Sequence, residues 1–279
     1  MKENASNLRG IDHLIAVMAR LRSPQGGCPW DLEQTFASIA PYTLEETYEL
    51  VEAIEHNDIV HIKEELGDVL FQVAFHARMG QEAGLFDLDS IAQDVADKMI
   101  ERHPHVFGAR DVDNAGDVAA NWEADKEAKR QAAAARENRV ASALDGVSTA
   151  LPAATRAVKL QSRAAKAGFD WNNPRDVIAK IHEEIGELEH EFAIAAPDAD
   201  AVEDEMGDVL FAVVNLARKL NVDPETALRR TNRKFERRFR GIETRLAAQG
   251  RTLSDASLDD MERIWNDIKA EEKSVIKAG

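Results

Sequence analysis

The residues best suited to chemistry in this chain are carboxylates in fixed pairs. Glu46 and Glu49 stand three apart, and Glu65 and Asp68 repeat the spacing further on. The set returns as Glu184 with Glu187 and Glu205 with Asp208. On a helix, residues three or four apart share a face. Two such helices packed antiparallel would bring four carboxylates together. Like charges that close repel unless a cation lies between them. The hard, oxygen-preferring ion for such a site is Mg²⁺, with Mn²⁺ as a substitute. The spacing therefore predicts a magnesium cage, present twice. A lone E-x-x-E is more often a solvated acidic face. Here a second pair lies on a mostly apolar helix and the whole set recurs, which weighs against that reading. Di-iron bundles use two E-x-x-H pairs. This chain offers Glu187 with His190, and Glu52 stands at the matching position of the first repeat.

Basic residues form the second constellation. Lys98 with Arg102 and Lys234 with Arg238 are i,i+4 pairs, and seven basic residues fall between Arg229 and Arg240. They read either as a face paired with surface glutamates or as a clamp for phosphate oxygens. A carboxylate-held metal beside such a clamp suits phosphoryl-transfer chemistry. The chain has no G-x-x-x-x-G-K-[ST] loop, so P-loop chemistry is not expected. Trp122 and Trp265 are each followed at i+4 by a lysine, Lys126 and Lys269. They read as core anchors or as rings on which a base stacks beside a phosphate-binding cation. His103 and His105 are expected to be structural, and Cys28 has no activating base in its vicinity.

Helices must position these groups. Ile11, Leu14, Ile15, Met18 and Leu21 have helical spacing, ending at Ser23-Pro24-Gln25-Gly26-Gly27. Cys28 to Asp31 is expected as a loop. The first acidic helix is expected to begin after Pro41 with Thr43 as N-cap. Its apolar stripe would be Leu44, Tyr48, Val51 and Ile54, and Asn57-Asp58 would end it. The next helix, about Val60 to Met79, is apolar on nearly every side from Leu66 to Ala77, which implies burial in a core or an interface. A further helix is expected over Leu88 to Arg102. Residues 126–140 read as an exposed helix or linker. The second half repeats the first: Leu66-Gly67-Asp68-Val69-Leu70-Phe71 returns as Met206-Gly207-Asp208-Val209-Leu210-Phe211, and Arg78 as Arg218. No segment alternates like a strand. The expected fold is all-α: two tandem bundles of four or five helices, residues 1–139 and 140–279.

Composition narrows the function classes. With 279 residues and 44% hydrophobic content the chain can build two cores. Its 51 acidic and 35 basic residues give a net charge of −16. That argues against a nucleic-acid polymer as partner and against docking on an anionic membrane. The single cysteine rules out an internal disulfide. The first six residues lack the apolar core of a signal peptide, and no apolar run approaches the roughly 20 residues of a membrane span. A cytoplasmic location is expected.

With these motifs in place, the chain resembles the MazG family of tandem-repeat nucleoside triphosphate pyrophosphohydrolases. The family pattern E-E-x-x-E, then E-x-x-D, is matched by Glu45, Glu46, Glu49, Glu65 and Asp68 and again by Glu183, Glu184, Glu187, Glu205 and Asp208. The flanks agree as well: Gly27-Cys28-Pro29-Trp30-Asp31, His103-Pro104-His105-Val106-Phe107-Gly108, Gly168-Phe169-Asp170-Trp171 and Lys234-Phe235-Glu236-Arg237-Arg238-Phe239. The resemblance implies a homodimer that hydrolyses (d)NTPs to monophosphate and pyrophosphate with Mg²⁺, as housecleaning of nucleotide pools. It implies that Glu184, Glu187, Glu205 and Asp208, and in the first repeat Glu46, Glu49, Glu65 and Asp68, hold the metal. Glu183 and Glu45 would orient or deprotonate water, or share a further metal. Lys234, Arg238 and Lys180 would bind the triphosphate, and Trp265 and Lys269 the nucleotide. Lys98, Arg102, Trp122 and Lys126 would be the counterparts in the first repeat. Tyr42 stands where the second repeat has Lys180, so the second repeat is expected to be the more active. The competing readings are a specialised dUTP/dCTP or phosphoribosyl-ATP pyrophosphatase, and a non-catalytic metal- or nucleotide-binding regulator.

Overall fold

The computed structural model describes the backbone of residues 9–108, 115–194 and 196–278, and their side chains except at 115, 117–122, 125 and 275–278. Among these residues every regular element is helical: α1 Gly10–Leu21, α2 Pro29–Glu33, α3 Phe36–Glu55, α4 Ile59–Glu82, α5 Leu88–Arg102, α6 Pro104–Phe107, α7 Ala115–Arg136, α8 Ala153–Lys166, α9 Pro174–Ala193, α10 Ala199–Lys219, α11 Pro224–Ala248 and α12 Leu258–Ala278, with a short 3₁₀ turn at Leu253–Asp255. No helix of the described residues is long and apolar enough to cross a membrane. The chain divides into two compact units, Met1–Ala124 and Asp125–Gly279. α7 runs across the division and ends just before residue 139.

In the first unit α3 and α4 form a helical hairpin and α1 and α5 pack against α4. The turn between α3 and α4 is made by Asn57, whose φ of 54° is left-handed, and by Asp58, whose side chain accepts from the Val60 and His61 amides and caps α4. Met18, Ile39, Phe75 and Met79 build the core, with Phe71 packed against it. In the second unit α9 and α10 form the equivalent hairpin, α8 packs on α10, and α11 pairs with α12 around Ile242, Leu246 and Ile264.

Four local expectations change. α3 begins at Phe36, not after Pro41: Thr35 is the N-cap, in a reciprocal capping box with Ser38. Pro41 is carried inside the helix, and Thr43 is turned inward, with its hydroxyl 3.0 Å from His76 Nε2. Pro29 starts a short helix, α2, where a loop was expected, since its fixed φ suits a first helical position. Of the expected stripe, Leu44, Tyr48 and Ile54 are exposed and Val51 is half-buried. The face of α3 that packs on α4 carries Ile39, Thr43, Glu46, Leu50 and Ala53 instead, all buried or half-buried. α4 is likewise divided. Ala74, Phe75 and Ala77 are buried, whereas Leu66, Leu70 and Val73 face outward.

Candidate metal centres

Glu46, Glu65, Asp68, Glu184 and Glu205 are buried or half-buried, whereas Glu49, Glu187 and Asp208 are exposed. Along α4 one face reads Glu65, Asp68, Gln72, Phe75 and Met79, the spacing of a single helical stripe. Its lower part is core and its upper part is acidic. α3 runs the other way and sets Ile39 against the apolar end and Glu46 against the acidic end. Donor oxygens of Glu46, Glu49 and Glu65 fall within 4.8 Å of one another. Asp68 is close enough to act electrostatically on both Glu46 and Glu65. In the second unit Glu184, Glu205 and Asp208 converge within the same 4.8 Å. Glu187 joins them through a hydrogen bond to Glu184.

Neither cluster is balanced by protein groups alone. Glu65 and Glu205 each bury one carboxylate oxygen, Oε2, without a hydrogen-bond partner. These are equivalent positions in the two repeats, and an orphaned buried acceptor costs stability unless something outside the chain meets it. Burial, then the charges of Asp68, Glu49 and Glu65, push the Glu46 carboxyl above the ordinary range, against a hydrogen bond from Gln72. Burial and the charges of Glu49, Asp68 and Glu64 raise Glu65 as well. A hard divalent cation with oxygen ligands fits these donors. Such an ion would reverse both shifts, because it favours the charged form.

The second cluster has a further member. Lys180 Nζ lies 2.7 Å from Glu183 Oε1 and 2.8 Å from Glu184 Oε1. These bonds, Glu183 first, hold the ammonium well above the ordinary lysine value. The Lys180 hydrogen bond pulls Glu184 down, and the bond to Glu184 pushes Glu187 up.

The remaining predicted residues sit elsewhere on the helices. Arg238 makes a two-nitrogen contact with Glu272 at 2.8–2.9 Å and lies 5.2 Å from the centre of the Trp265 ring. Trp265 packs on Phe235 and joins the cluster that closes α11 on α12. Lys234 and Lys269 are exposed, as are Lys98, Glu45 and Glu183, and Arg102 is half-buried. Lys126 lines a basic concavity of about 320 Å³ with Lys129, Arg130, Arg139 and Arg163. The Trp122 side chain lies outside the described residues. Two participants escape a reading of the acidic motif alone. Gln72 bridges toward Glu46, and its signal is the one amide in the apolar stretch from Leu66 to Ala77, one turn beyond Asp68. Glu272, the partner of Arg238, is one of many exposed-looking acids and carries no such signal.

A family model described as the MazG nucleotide pyrophosphohydrolase domain matches the chain twice, over residues 34–107 and 172–241. Each match contains one hairpin and its cluster. The chain belongs to the MazG family. It is 48% identical over 262 residues to a nucleoside triphosphate pyrophosphohydrolase of Escherichia coli K12, spanning 94% of this chain and 98% of that protein. It is 40% identical over 259 residues to a nucleoside triphosphate pyrophosphohydrolase/pyrophosphatase MazG of Thermotoga maritima, spanning 93% and 95%. A nucleoside triphosphate pyrophosphohydrolase of Mycobacterium tuberculosis is 38% identical over 169 residues, which is 60% of this chain and 48% of that one. The first two relatives align along nearly their whole length, so the MazG-family layout of two repeats is carried here in full.

The raised carboxylates give the first cluster a defined pH response. A carboxyl whose pKa is higher folded than unfolded binds protons more readily in the native state. Its stabilising contribution is complete below the unfolded value, about 4.3, and is lost as pH rises through the folded value. In chelator, the melting temperature of Glu46→Gln is therefore expected to exceed that of the wild type at pH 7 and to match it at pH 4. Saturating Mg²⁺ should reverse the order at pH 7. Thermal melts at the two pH values check this, and a wild type that gains stability between pH 4.3 and 7 in chelator more steeply than Glu46→Gln would contradict it.

Proposed function

We propose that this chain is a Mg²⁺-dependent nucleoside triphosphate pyrophosphohydrolase that converts a (d)NTP and water to (d)NMP and pyrophosphate, in nucleotide-pool housecleaning. The observation that carries the reading is the pair of converging carboxylate clusters, each with an unpartnered buried glutamate oxygen, in a chain of this family. Glu46, Glu49, Glu65 and Asp68 would hold the ion in the first repeat, residues 1–139, and Glu184, Glu187, Glu205 and Asp208 in the second, residues 140–279. Mg²⁺, or Mn²⁺ in its place, lowers the pKa of bound water and neutralises phosphate oxygens. Glu183 and Glu45, both exposed, would orient the attacking water and take its proton, or share a further metal. Lys180, Lys234 and Arg238, and in the first repeat Lys98 and Arg102, would meet the triphosphate charge. Trp265 with Lys269, and Trp122 with Lys126, would hold the nucleoside end. The chain would act in the cytoplasm as a homodimer. The outward apolar residues Leu66, Leu70 and Val73, with Met206, Leu210 and Val213 at the corresponding positions, support a second copy as the cover. A sedimentation mass of one chain would rule the dimer out.

The deciding experiment identifies products from a panel of (d)NTPs with Mg²⁺, for wild type, Glu46→Ala and Glu184→Ala. Monophosphate plus pyrophosphate is expected, and the variant that loses turnover names the working repeat; the second is expected. Orthophosphate as the sole released product would overturn α–β cleavage. Absence of turnover on every nucleotide would overturn the enzymatic reading.

A further inference from the structure

The two clusters have the same acidic residues but different company. In the first, the group that reaches the cluster from the packed faces is the Gln72 amide, with Thr43 within 3.5 Å of it; His61, exposed and paired with Asp58 at 2.8 Å, acts on Glu65 only through space. In the second, the residue matching Gln72 is Ala212, which has no amide to offer. Lys180 fills the role from one turn earlier on α9. Its ammonium bonds to Glu184 at 2.8 Å and to Glu183 at 2.7 Å. Glu184 is the buried member of the converging trio Glu184, Glu205 and Asp208. Its side chain is 9% exposed, against 31% for Lys180. The residue matching Lys180 in the first repeat is Tyr42, which is exposed and packs edge-on against Trp30. Among the described residues, a lysine ammonium is therefore bonded directly to a carboxylate of the second cluster, whereas the cation acting on the first is His61, whose own bond is to Asp58.

We propose that Lys180 is an internal counter-ion of the second cluster, so that a divalent cation binds there weakly until a polyphosphate anion arrives to take the ammonium, whereas the first cluster accepts the cation unaided. This rests on the reading of both clusters as metal sites. A divalent ion entering among Glu184, Glu205 and Asp208 meets the ammonium at short range, where like charges repel. Lys180 has a flexible four-carbon stem and no acceptor of its own. Leaving costs it the bond to the buried Glu184, a loss that another anion offsets. The triphosphate supplies one. Metal and triphosphate then bind with positive coupling at the second repeat, and by linkage each strengthens the other by the same factor. The first repeat lacks this device. The second site thus avoids holding a metal ion when no substrate is present.

Mn²⁺ titrations followed by the free-ion resonance test this on the full chain. In wild type without nucleotide we expect two classes, the weaker at least tenfold below the tighter. Glu46→Gln should remove the tight class and Glu205→Gln the weak one. In the Glu46→Gln background, Lys180→Met should tighten the remaining class at least tenfold, and Lys180→Arg should not. α,β-Methylene-ATP should tighten Mn²⁺ binding at least tenfold when Lys180 is present and less than threefold in Lys180→Met. Equal classes in wild type, or a Lys180→Met site that is unchanged or weaker, would overturn the counter-ion role. If neither Glu46→Gln nor Glu205→Gln changes Mn²⁺ binding, the metal-site reading falls first, and the two failures are thereby told apart. If Lys180→Met fails to fold by circular dichroism, the order of the wild-type classes and their response to α,β-methylene-ATP decide the question.

Discussion

Glu205→Ala should lose turnover at the second repeat by about a thousandfold while folding as well as the wild type, or better, in chelator. The two halves of this expectation have one cause. Glu205 Oε2 is buried without a partner, so in the metal-free protein its charge is a cost. Removing it relieves that cost. With Mg²⁺ the same oxygen is a ligand, and the substitution deletes it. Loss of one group that neutralises developing charge in a water-poor site typically costs 10²–10³ in rate, about 2.7–4 kcal/mol. The stability readout is equally sharp. At Mg²⁺ a hundredfold above its dissociation constant, one native-state site stabilises by about 2.7 kcal/mol. In a Glu46→Gln background, which isolates the second cluster, that gain should vanish on adding Glu205→Ala. Glu203→Ala and Asp204→Ala are the controls. Both are exposed on the same helix and should move neither quantity. A carboxylate with a merely structural role would show the opposite pattern: lower stability in chelator and an unchanged Mg²⁺ response. That pattern would remove Glu205 from the site.

The acidic motif was legible because its message does not depend on tertiary context. Helical spacing alone pairs Glu46 with Glu49 and Glu65 with Asp68, and the repeat doubles the signal. α5 agreed with its expected limits at both ends, since Asp87 and the His103-Pro104 step punctuate it. What failed was the orientation of α3. A hydrophobic stripe of Leu44, Tyr48, Val51 and Ile54, of which only Val51 is half-buried, looks like the core-facing side of an amphipathic helix. The structure turns that stripe outward and buries the side bearing Glu46. Periodicity assigns apolar residues to the interior, and it has no means of seeing that the hairpin sets carboxylates against each other. The same blindness hid the engagement of Lys180 and Arg238. Lys180 reads from the sequence as a phosphate ligand, and Arg238 as either a phosphate clamp or a member of a glutamate-paired face; each is paired within the chain, with Glu183 and Glu184 and with Glu272. Such pairings depend on which acids the fold brings near. Spacing could suggest the first, at i+3 and i+4, but not the second, which bridges two helices.

Phe75→Ala should destabilise the first unit by about 3–5 kcal/mol, the range for removing a large buried aromatic. Phe75 is fully buried. It meets Met18, Ile39 and Met79, stands edge-on to Phe71, and lies 5.3 Å under the Arg22 guanidinium. Arg22 is itself held by Glu82. The neighbours come from α1, α3 and α4, so no single helix can collapse into the space left. Phe75→Leu keeps most of the volume and should cost less than half as much. The equivalent position in the second repeat is Asn215, buried and hydrogen-bonded by Arg218 of the same helix, so a polar side chain stands there where the first repeat has an aromatic. The effect reaches the site through the shared stripe of α4. Phe75 lies two turns below Asp68 on the face that carries Glu65. A carboxylate cluster whose oxygens must stay within 4.8 Å depends on the spacing of α3 and α4 that this core sets. Urea unfolding gives the stability change, and Mn²⁺ titration in a Glu205→Gln background gives the first-site affinity. Both are expected to fall in Phe75→Ala, with the affinity recovering in Phe75→Leu. An affinity untouched by a loss of several kcal/mol would show that the cluster is held by its own local contacts and not by the core beneath it.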